Sequence, residues 1–341
     1  MNIIELDPAE TRLVSGAFEV LRAAHKADAP ETPPPHEGVF SKSLHHPEPT
    51  EDEHHYVALD GDRVAGWLSA FFPNRENLHF CGADIVVHPE RRREGIGSAL
   101  LERFLDLARA EGRTEVTIET RLNWEGGPDR SEVGRRFLEN RGFKLALTCV
   151  IRRTDVDALA EADERALLDQ ATRAAGEDYE IISWIGHTPD ELMETMSRLD
   201  SMILSEVPLG DLELEPEKVD PELKRAKADR ADAIGIVPVA TIARHRESGE
   251  AVANTAIGVF DDREFEHSFQ WITIVDPAHR GHRLGTLVKL VNLRLLREQF
   301  PQVRQIWTDN ADVNAHMIDI NRKMGFETLD AVGEFKKNLD A

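Results

Sequence analysis

Cysteine and long apolar stretches are scarce in this sequence. Its 341 residues include two cysteines, Cys81 and Cys149, and no apolar run approaches the ~18 residues that span a bilayer. Two cysteines exclude a disulfide framework, and their apolar, strand-like surroundings predict buried thiols. The N-terminal stretch MNIIELDPAE has neither a basic segment nor a cleavage pattern, so no secretory signal is predicted. We therefore expect a cytoplasmic protein without a transmembrane helix.

Basic residues and metal-ligand patterns are also scarce. The 41 lysines and arginines are outnumbered by 63 aspartates and glutamates, which gives a formal net charge of −22. A nucleic-acid-binding protein needs a basic face, so that class is excluded. The acidic surface would attract cationic ligands, although the same charge also serves solubility alone. His45-His46 and His54-His55 lack the cysteine or carboxylate spacing of a known metal site, so we expect no metal and place these histidines in solvated loops.

One layout occurs twice in the chain. The stretches DIVVHPERRREGIGSALLERFLDLARAEG (84–112) and WITIVDPAHRGHRLGTLVKLVNLRLLREQ (271–299) each contain an apolar strand, a proline, an arginine, a glycine-bearing turn and an amphipathic helix. Arg280 follows Arg92 by 188 residues, and the prolines and last glycines of the two turns have the same spacing. Two copies at one spacing predict two related halves.

The agreement continues downstream. A strand pattern follows in each half, TEVTIET and RQIWTDN, and then a short helix ends in Gly-Phe, at 142–143 and 325–326. This recurring order predicts an α/β fold with a mixed sheet (α+β), in two tandem domains over residues 1–155 and 179–341. The polar, alanine-rich residues 156–178 are predicted to form a helical linker or an outer helix.

The glycine-bearing turn has the chemistry of an anion site. The first N–H groups of a helix have no partner within the helix, and its dipole adds positive charge at that end. Gly95 and Gly97 allow close backbone approach, and Arg92 adds bidentate donors, so the turn predicts a pyrophosphate site. Neither the dinucleotide fingerprint G-x-G-x-x-G nor the P-loop G-K-[ST] is present.

The motif R-x-x-G-x-G at Arg92, Gly95 and Gly97 resembles the coenzyme A loop of the GNAT superfamily of N-acetyltransferases, and the later helix with its terminal Gly-Phe is also GNAT-like. Because both halves carry the pattern, the chain resembles a tandem GNAT protein. The resemblance implies that acetyl-CoA is the co-substrate and lies in a V-shaped gap beside the central strand. The implied coenzyme contacts are Ile85, Val86, Val87, Arg92, Arg93, Glu94, Gly95, Ile96, Gly97 and Ser98 in the first half and Thr273, Ile274, Val275, Arg280, Gly281, His282, Arg283, Leu284, Gly285, Thr286, Asn310, Asn314 and Asn321 in the second.

The resemblance also implies catalytic residues. Asp84, on the strand before the loop, stands where many GNAT enzymes have a general base, although a strand acid can equally pair with an arginine or face solvent. Glu119, at the end of the next strand, is a second candidate. The family's tyrosine acid, five residues before the Gly-Phe phenylalanine, is replaced by Leu138 and Asn321, so neither half has it.

The second half departs from the pattern. Ile272 takes the place of Asp84, and Arg283 takes the place of Gly95, where its Cβ could oppose close backbone approach. His267 and Glu266 are weaker candidates for a base. Asn314 either binds the coenzyme or caps the last helix.

Two function classes follow. The first is an acetyl-CoA-dependent N-acetyltransferase that transfers the acetyl group directly to a primary amine of a small cationic molecule. The alternative is a coenzyme-A-binding regulatory or scaffold protein in which one or both halves have lost catalysis. Acetylation of a protein amine is a third reading. The halves are expected to form an internal pseudo-dimer, and the choice between a monomer and a homodimer stays open.

Overall fold

The computed structural model describes residues 1–339. The helices and strands of the first half are β1 (Asn2–Glu5), α1 (Thr11–Asp28), α2 (Glu37–Ser43), β2 (Glu51–Asp60), β3 (Arg63–Pro73), β4 (Phe80–Val87), α3 (Ile96–Ala110), β5 (Glu115–Leu122), α4 (Val133–Glu139) and β6 (Lys144–Asp155). Those of the second half are α5 (Glu161–Ala175), β7 (Tyr179–Ile185), α6 (Met193–Asp200), α7 (Ile203–Glu206), α8 (Pro221–Ile234), β8 (Ile236–His245), β9 (Ala251–Phe260), β10 (His267–Val275), α9 (Leu284–Gln299), β11 (Gln305–Ala311), α10 (Ala315–Lys323) and β12 (Glu327–Asn338).

The chain forms two compact units that exchange their last strands. Unit 1 contains Met1–Thr148, Gly210–Glu213 and the described residues from Ala331 onward, and unit 2 contains Cys149–Leu209 and Leu214–Asp330. The units therefore differ from the contiguous ranges 1–155 and 179–341 that the repeat suggested. Most of β6 belongs to unit 2, where it pairs with β11, and most of β12 belongs to unit 1, where it pairs with β5.

Unit 1 is a sheet with helices on both faces. Its strand order is β1-β2-β3-β4-β5-β12, and every pair is antiparallel except β4 with β5. α3 buries Leu100 and Phe104 in the larger core, with Phe335 of β12 on the same face. α1 packs on the opposite face in a second cluster that includes Leu13 and Trp67.

Unit 2 has the strand order β6-β11-β10-β9-β8-β7, and β10 with β11 is its parallel pair. The residues predicted as a helical linker do form a helix, α5, which packs into unit 2 because Ala171 and Ala175 are buried beside Val288 of α9. Arg294 and Arg297 of α9 bind the buried Glu164 carboxylate. α5 is thus a structural layer of this unit.

Two smaller expectations need correction. His54 and His55 lie half-buried in β2 and not in a solvated loop, because their strand continues into the buried residues that follow. Cys81 is buried, and this burial raises the pKa of its thiol to about 12, whereas Cys149 is half-buried. Within residues 1–339, no helix is long and apolar enough to cross a membrane.

Candidate functional site

A tight turn and a helix start follow β4 in unit 1. A 3-10 turn at Pro89–Arg91 leads to Arg92, and then Arg93 and Gly95 adopt left-handed backbone conformations with φ of +69° and +88°. α3 begins after Gly95, and no side chain of the described residues caps its first N–H groups. Because these N–H groups and the helix dipole point to the turn, it is suited to an anion.

The turn before α9 has the same backbone shape in unit 2. Gly281 and Arg283, with φ of +89° and +55°, stand where unit 1 has Arg93 and Gly95. A Cβ placed on Gly95 would meet no protein atom within 4 Å, so glycine is favoured there by the left-handed conformation and not by lack of space. Each turn therefore has one glycine and one arginine in its two left-handed positions, in opposite order.

The arginines that start the two turns are already paired with acids. Arg92 donates to both carboxylate oxygens of Asp28, at 2.7 and 2.6 Å, and to the Val87 carbonyl at 3.3 Å. Arg280 donates to the Glu206 carboxylate. Each guanidinium thus fastens its turn to the end of a helix of the same unit, α1 or α7. A phosphate bound there would share these donors with the acid.

Most other predicted coenzyme contacts could reach a ligand only through their backbone. Several side chains pack in or against hydrophobic cores: Ile85, Val86, Val87, Ile96, Ile274, Val275 and Leu284. The polar members contact protein groups: Glu94 pairs with Arg91, Ser98 accepts a hydrogen bond from Arg141 at 2.7 Å, Thr273 donates to the Ile272 carbonyl at 2.9 Å, and His282 lies 5.4 Å from the Tyr179 ring. Gly97, Gly285 and Thr286 lie in the first turns of α3 and α9, where their N–H groups face the loop.

A wedge opens between β4 and β5. The two strands pair only over Phe80–Ala83 and Glu115–Ile118, whereas β4 remains paired with β3 through Val87. Residues 84–87 therefore have one backbone edge that no strand covers in the described chain. An uncovered edge can hydrogen-bond an extended ligand in the way that an added strand would.

The two predicted catalytic acids are the first residues beyond the last pair of the wedge. Ala83 pairs with Ile118, so Asp84 and Glu119 follow at the point where the strands part. Asp84 is solvent-accessible at this mouth, but the protein around it desolvates the carboxyl and raises its pKa. A raised pKa makes a carboxylate a better proton acceptor near neutral pH.

A third acid reaches the same place from the end of the chain. Glu334 of β12 pairs in register with Glu119, so both side chains lie on one face of the sheet. Desolvation raises the pKa of the half-buried Glu334, the nearby Thr117 hydroxyl lowers it, and the charge of Asp84 raises it further. Sequence reasoning missed Glu334, because the repeat assigns EFKKNL to the second half and only the strand exchange brings it to β5.

The wedge of unit 2 has a different lining. β10 and β11 pair over His267–Phe269 and Gln305–Trp307, and then they separate. At the levels of Asp84, Glu119 and Glu334, the repeat places Ile272, Asp309 and Ile151, and Asp309 and Ile151 pair in register. His267 lies at the paired end of β10, where its ring accepts a hydrogen bond from Trp307 at 3.3 Å.

The predicted asparagines of unit 2 are held by protein contacts. Asn314 caps α10, and its side chain accepts the Met317 N–H at 3.2 Å. Asn321 is fully buried and donates to the Asn310 side chain at 2.7 Å, while its own Oδ1 has no partner in residues 1–339. Leu138, the corresponding residue of unit 1, is a core side chain.

Comparisons with known proteins agree with this geometry. Residues 19–126 match the model of the acetyltransferase (GNAT) family, and no curated protein matches the chain. A tandem GNAT protein from the clavulanic acid biosynthesis pathway, solved without acetyl-CoA, is 25% identical, with a TM-score of 0.84 over 100% of this chain and 99% of that one. A GCN5-related N-acetyltransferase from Sphaerobacter thermophilus is 14% identical, with a TM-score of 0.62 over 99% and 95% of the two chains.

The matched range 19–126 runs from α1 to just beyond β5 and includes the turn and wedge of unit 1. The similarity to the tandem protein extends over both units. Residues 19–126 thus match the GNAT acetyltransferase family, and the chain as a whole has the fold of the tandem GNAT protein.

Proposed function

We propose that unit 1 transfers the acetyl group of acetyl-CoA directly to a primary amine of a small cationic molecule. The observation that carries the proposal is the wedge: an uncovered strand edge at 84–87 ends at the anion-suited turn, and an acid with a raised pKa stands at its mouth. Pyrophosphate fits the N–H groups at the start of α3, and the pantetheine chain fits the edge of β4.

The proposed reaction needs a neutral amine beside the thioester carbonyl. Asp84 accepts the proton of the substrate ammonium, directly or through a water molecule, and the amine then attacks the carbonyl carbon. Backbone N–H groups at the end of β4 are placed to stabilise the oxyanion. The new C–N bond is retained, its nitrogen releases the second proton to solvent, and the C–S bond breaks. The thiolate then takes a proton from solvent to give coenzyme A, since Leu138 offers no acid in unit 1.

A cationic substrate is supported by charge. The chain carries a net charge of −22, and the mouth of the wedge is lined by Asp84, Glu119 and Glu334. Such a field attracts ammonium groups and disfavours anionic acceptors.

Asp84→Asn tests the proposal because it keeps the shape and removes the base. Release of coenzyme A thiol is followed with a panel of small amines, and binding of acetyl-CoA is measured by calorimetry. We expect kcat to fall about 100-fold or more while the affinity for acetyl-CoA stays unchanged. Asp106→Asn is the matched control, since Asp106 lies on the solvent side of α3, and it should leave kcat unchanged. Full turnover by Asp84→Asn would contradict the assignment of catalysis to unit 1.

A second function, coenzyme A binding without turnover, is supported for unit 2. Its turn keeps the left-handed backbone shape, but Ile272 stands at the level of the base. Calorimetry should then give two equivalents of acetyl-CoA per chain, and Asp84→Asn should abolish thiol release without changing that number. A single equivalent that is lost with Gly97→Trp would assign binding to unit 1 alone.

A further inference from the structure

Three acidic residues form one row across three adjacent strands of unit 1. Asp84 on β4 and Glu119 on β5 follow the last pair of the wedge, and Glu334 on β12 pairs with Glu119. Alternation along the strands puts all three on the same face, opposite to the core that α3 covers. Adjacent strands are roughly 4.8 Å apart, so the row spans about two such spacings, widened where the wedge opens.

Asp84 and Glu334 have no basic partner within residues 1–339. Glu115, four residues before Glu119 on β5, is by contrast neutralised, because its carboxylate lies 2.8 Å from Lys336 Nζ. Lys336 also donates to the Asp211 carbonyl at 2.7 Å. On this face of the sheet, Glu115 thus already binds one ammonium of the protein, that of Lys336. Glu334, the next acid on the same face, has no ammonium partner in the described residues.

A buried hydroxyl marks the same place independently. Thr117 is fully buried on the face of the row, and its Oγ1 makes no hydrogen bond in the described chain. It lies near enough to Glu334 to lower the pKa of that carboxyl, but without the geometry of a hydrogen bond. A buried polar group without a partner is costly, and a ligand that orders Glu334 would give it one.

The corresponding positions of unit 2 provide a comparison within the same chain. The repeat places Ile272, Asp309 and Ile151 at these three levels, so unit 2 has one carboxylate where unit 1 has three. A general excess of acids on the surface would affect both copies of the fold alike, and it would not explain this difference between the two units. The strand exchange brings Glu334 to unit 1, where an unexchanged unit would present Ile151.

We infer that Glu334 binds a second ammonium group of the substrate, so that unit 1 prefers amines that carry two positive charges over amines that carry one. The inference rests on the proposed function, and it adds the class of substrate and the residue that selects it. The reacting amine lies beside Asp84, and the other ammonium lies across the row against Glu334, with the Thr117 hydroxyl beside it. Charge-assisted hydrogen bonds to a carboxylate are among the stronger polar contacts, so losing one should be measurable.

The test compares 1,4-diaminobutane with n-butylamine, which differ by one terminal ammonium. We expect the wild type to have a kcat/KM at least tenfold higher for the diamine. Glu334→Gln should remove most of this preference by raising KM for the diamine about tenfold. In the same variant, kcat/KM for n-butylamine and KM for acetyl-CoA should change less than twofold. Glu327→Gln is the control, because it removes the same charge from an exposed position at the start of β12.

Three results would overturn the inference: an unchanged preference in Glu334→Gln, an equal loss with both amines, or a wild type without preference. Thermal unfolding of each variant verifies that it is folded. If the wild type acetylates neither amine, the proposed function fails for these acceptors, and calorimetric titration of 1,4-diaminobutane into the acetyl-CoA complex still decides the inference. Binding that weakens about tenfold in Glu334→Gln and not in Glu327→Gln would support it, and equal or absent binding in all three proteins would overturn it.

Discussion

Gly95 and Arg283 occupy equivalent positions in the two turns, and both have left-handed backbone conformations. The neighbouring equivalent pair, Arg93 and Gly281, is left-handed as well, with the glycine in the other unit. The shape of the turn is therefore maintained in both units, although the motif R-x-x-G-x-G is intact only in the first. A left-handed arginine costs backbone energy, so its retention indicates that the turn itself is constrained.

Gly95 and Gly97 are expected to serve different purposes, and alanine substitutions can separate them. Gly95→Ala forces a Cβ into a left-handed conformation and should lower the free energy of unfolding by about 1–2 kcal/mol. Gly97→Ala lies in the first turn of α3, and its Cβ would meet Val87 at an ordinary 3.6 Å, so stability should hold or rise slightly. Gly97→Ala should instead weaken acetyl-CoA binding, because the new methyl group stands where the ligand approaches. Chemical denaturation and calorimetry measure the two effects, and equal losses of stability would contradict this division.

Asp84 should show a trade-off between stability and catalysis. Desolvation raises its pKa in the folded protein, so the native state holds its proton over a pH range in which the unfolded chain has lost it. The stability of the wild type relative to Asp84→Asn should therefore fall as pH rises from the ordinary aspartate value of 3.8 through the raised pKa, and then level off. Activity should move the opposite way, with kcat/KM lost on the acid side as Asp84 is protonated.

Denaturation of the two proteins across this pH range gives the stability difference, and wild-type kinetics give the acid limb. Asp106→Asn serves as the control with a solvent-exposed acid. A difference that is flat with pH would show that the Asp84 carboxyl titrates as it does in the unfolded chain.

The repeat and most helices and strands of both units were predictable from the sequence alone. Apolar alternation predicted β5 and β11, and Gly-Phe marked the ends of the short helices, because these signals are local. Exchange of β6 and β12 was not predictable, since the repeat makes the two strands interchangeable and either could complete either sheet. Glu334 was missed for that reason. The pairing of Arg92 with Asp28 was also missed, because it joins residues that lie 64 positions apart.

Arg92 and Asp28 should act as one unit in coenzyme binding. Their bidentate contact fastens the turn to the end of α1, so loss of either partner releases the turn that holds the pyrophosphate. Arg92→Gln and Asp28→Asn should each weaken acetyl-CoA binding a few-fold, and the double variant should be no weaker than the worse single variant. Calorimetry on the four proteins completes the cycle. Tighter binding by Asp28→Asn would instead show that the acid competes with phosphate for the guanidinium.

Lys289 of α9 should limit the stability of unit 2. It is 2% exposed, and burial lowers the pKa of its ammonium to about 7, although Nζ donates to Gln270 at 2.9 Å and lies 5.2 Å from the Phe326 ring. Between pH 7 and the ordinary lysine pKa of 10.5, the unfolded chain binds a proton that the native lysine has lost, so stability rises with pH over that interval. Lys289→Met keeps the length of the side chain and removes this titration.

The variant should therefore be more stable than the wild type at pH 7. The gain should be on the order of a few kcal/mol, reduced by the loss of the hydrogen bond to Gln270. The advantage should shrink as pH rises towards 10.5. Denaturation of both proteins at several pH values measures it, and taking their difference cancels other titrating groups such as the Cys81 thiol. Leu287→Met, also buried on α9, controls for the introduction of methionine into this core. A stability difference that does not vary between pH 7 and 10 would contradict the low pKa, whereas a loss at all pH values would mean that the bond to Gln270 outweighs the cost of burial.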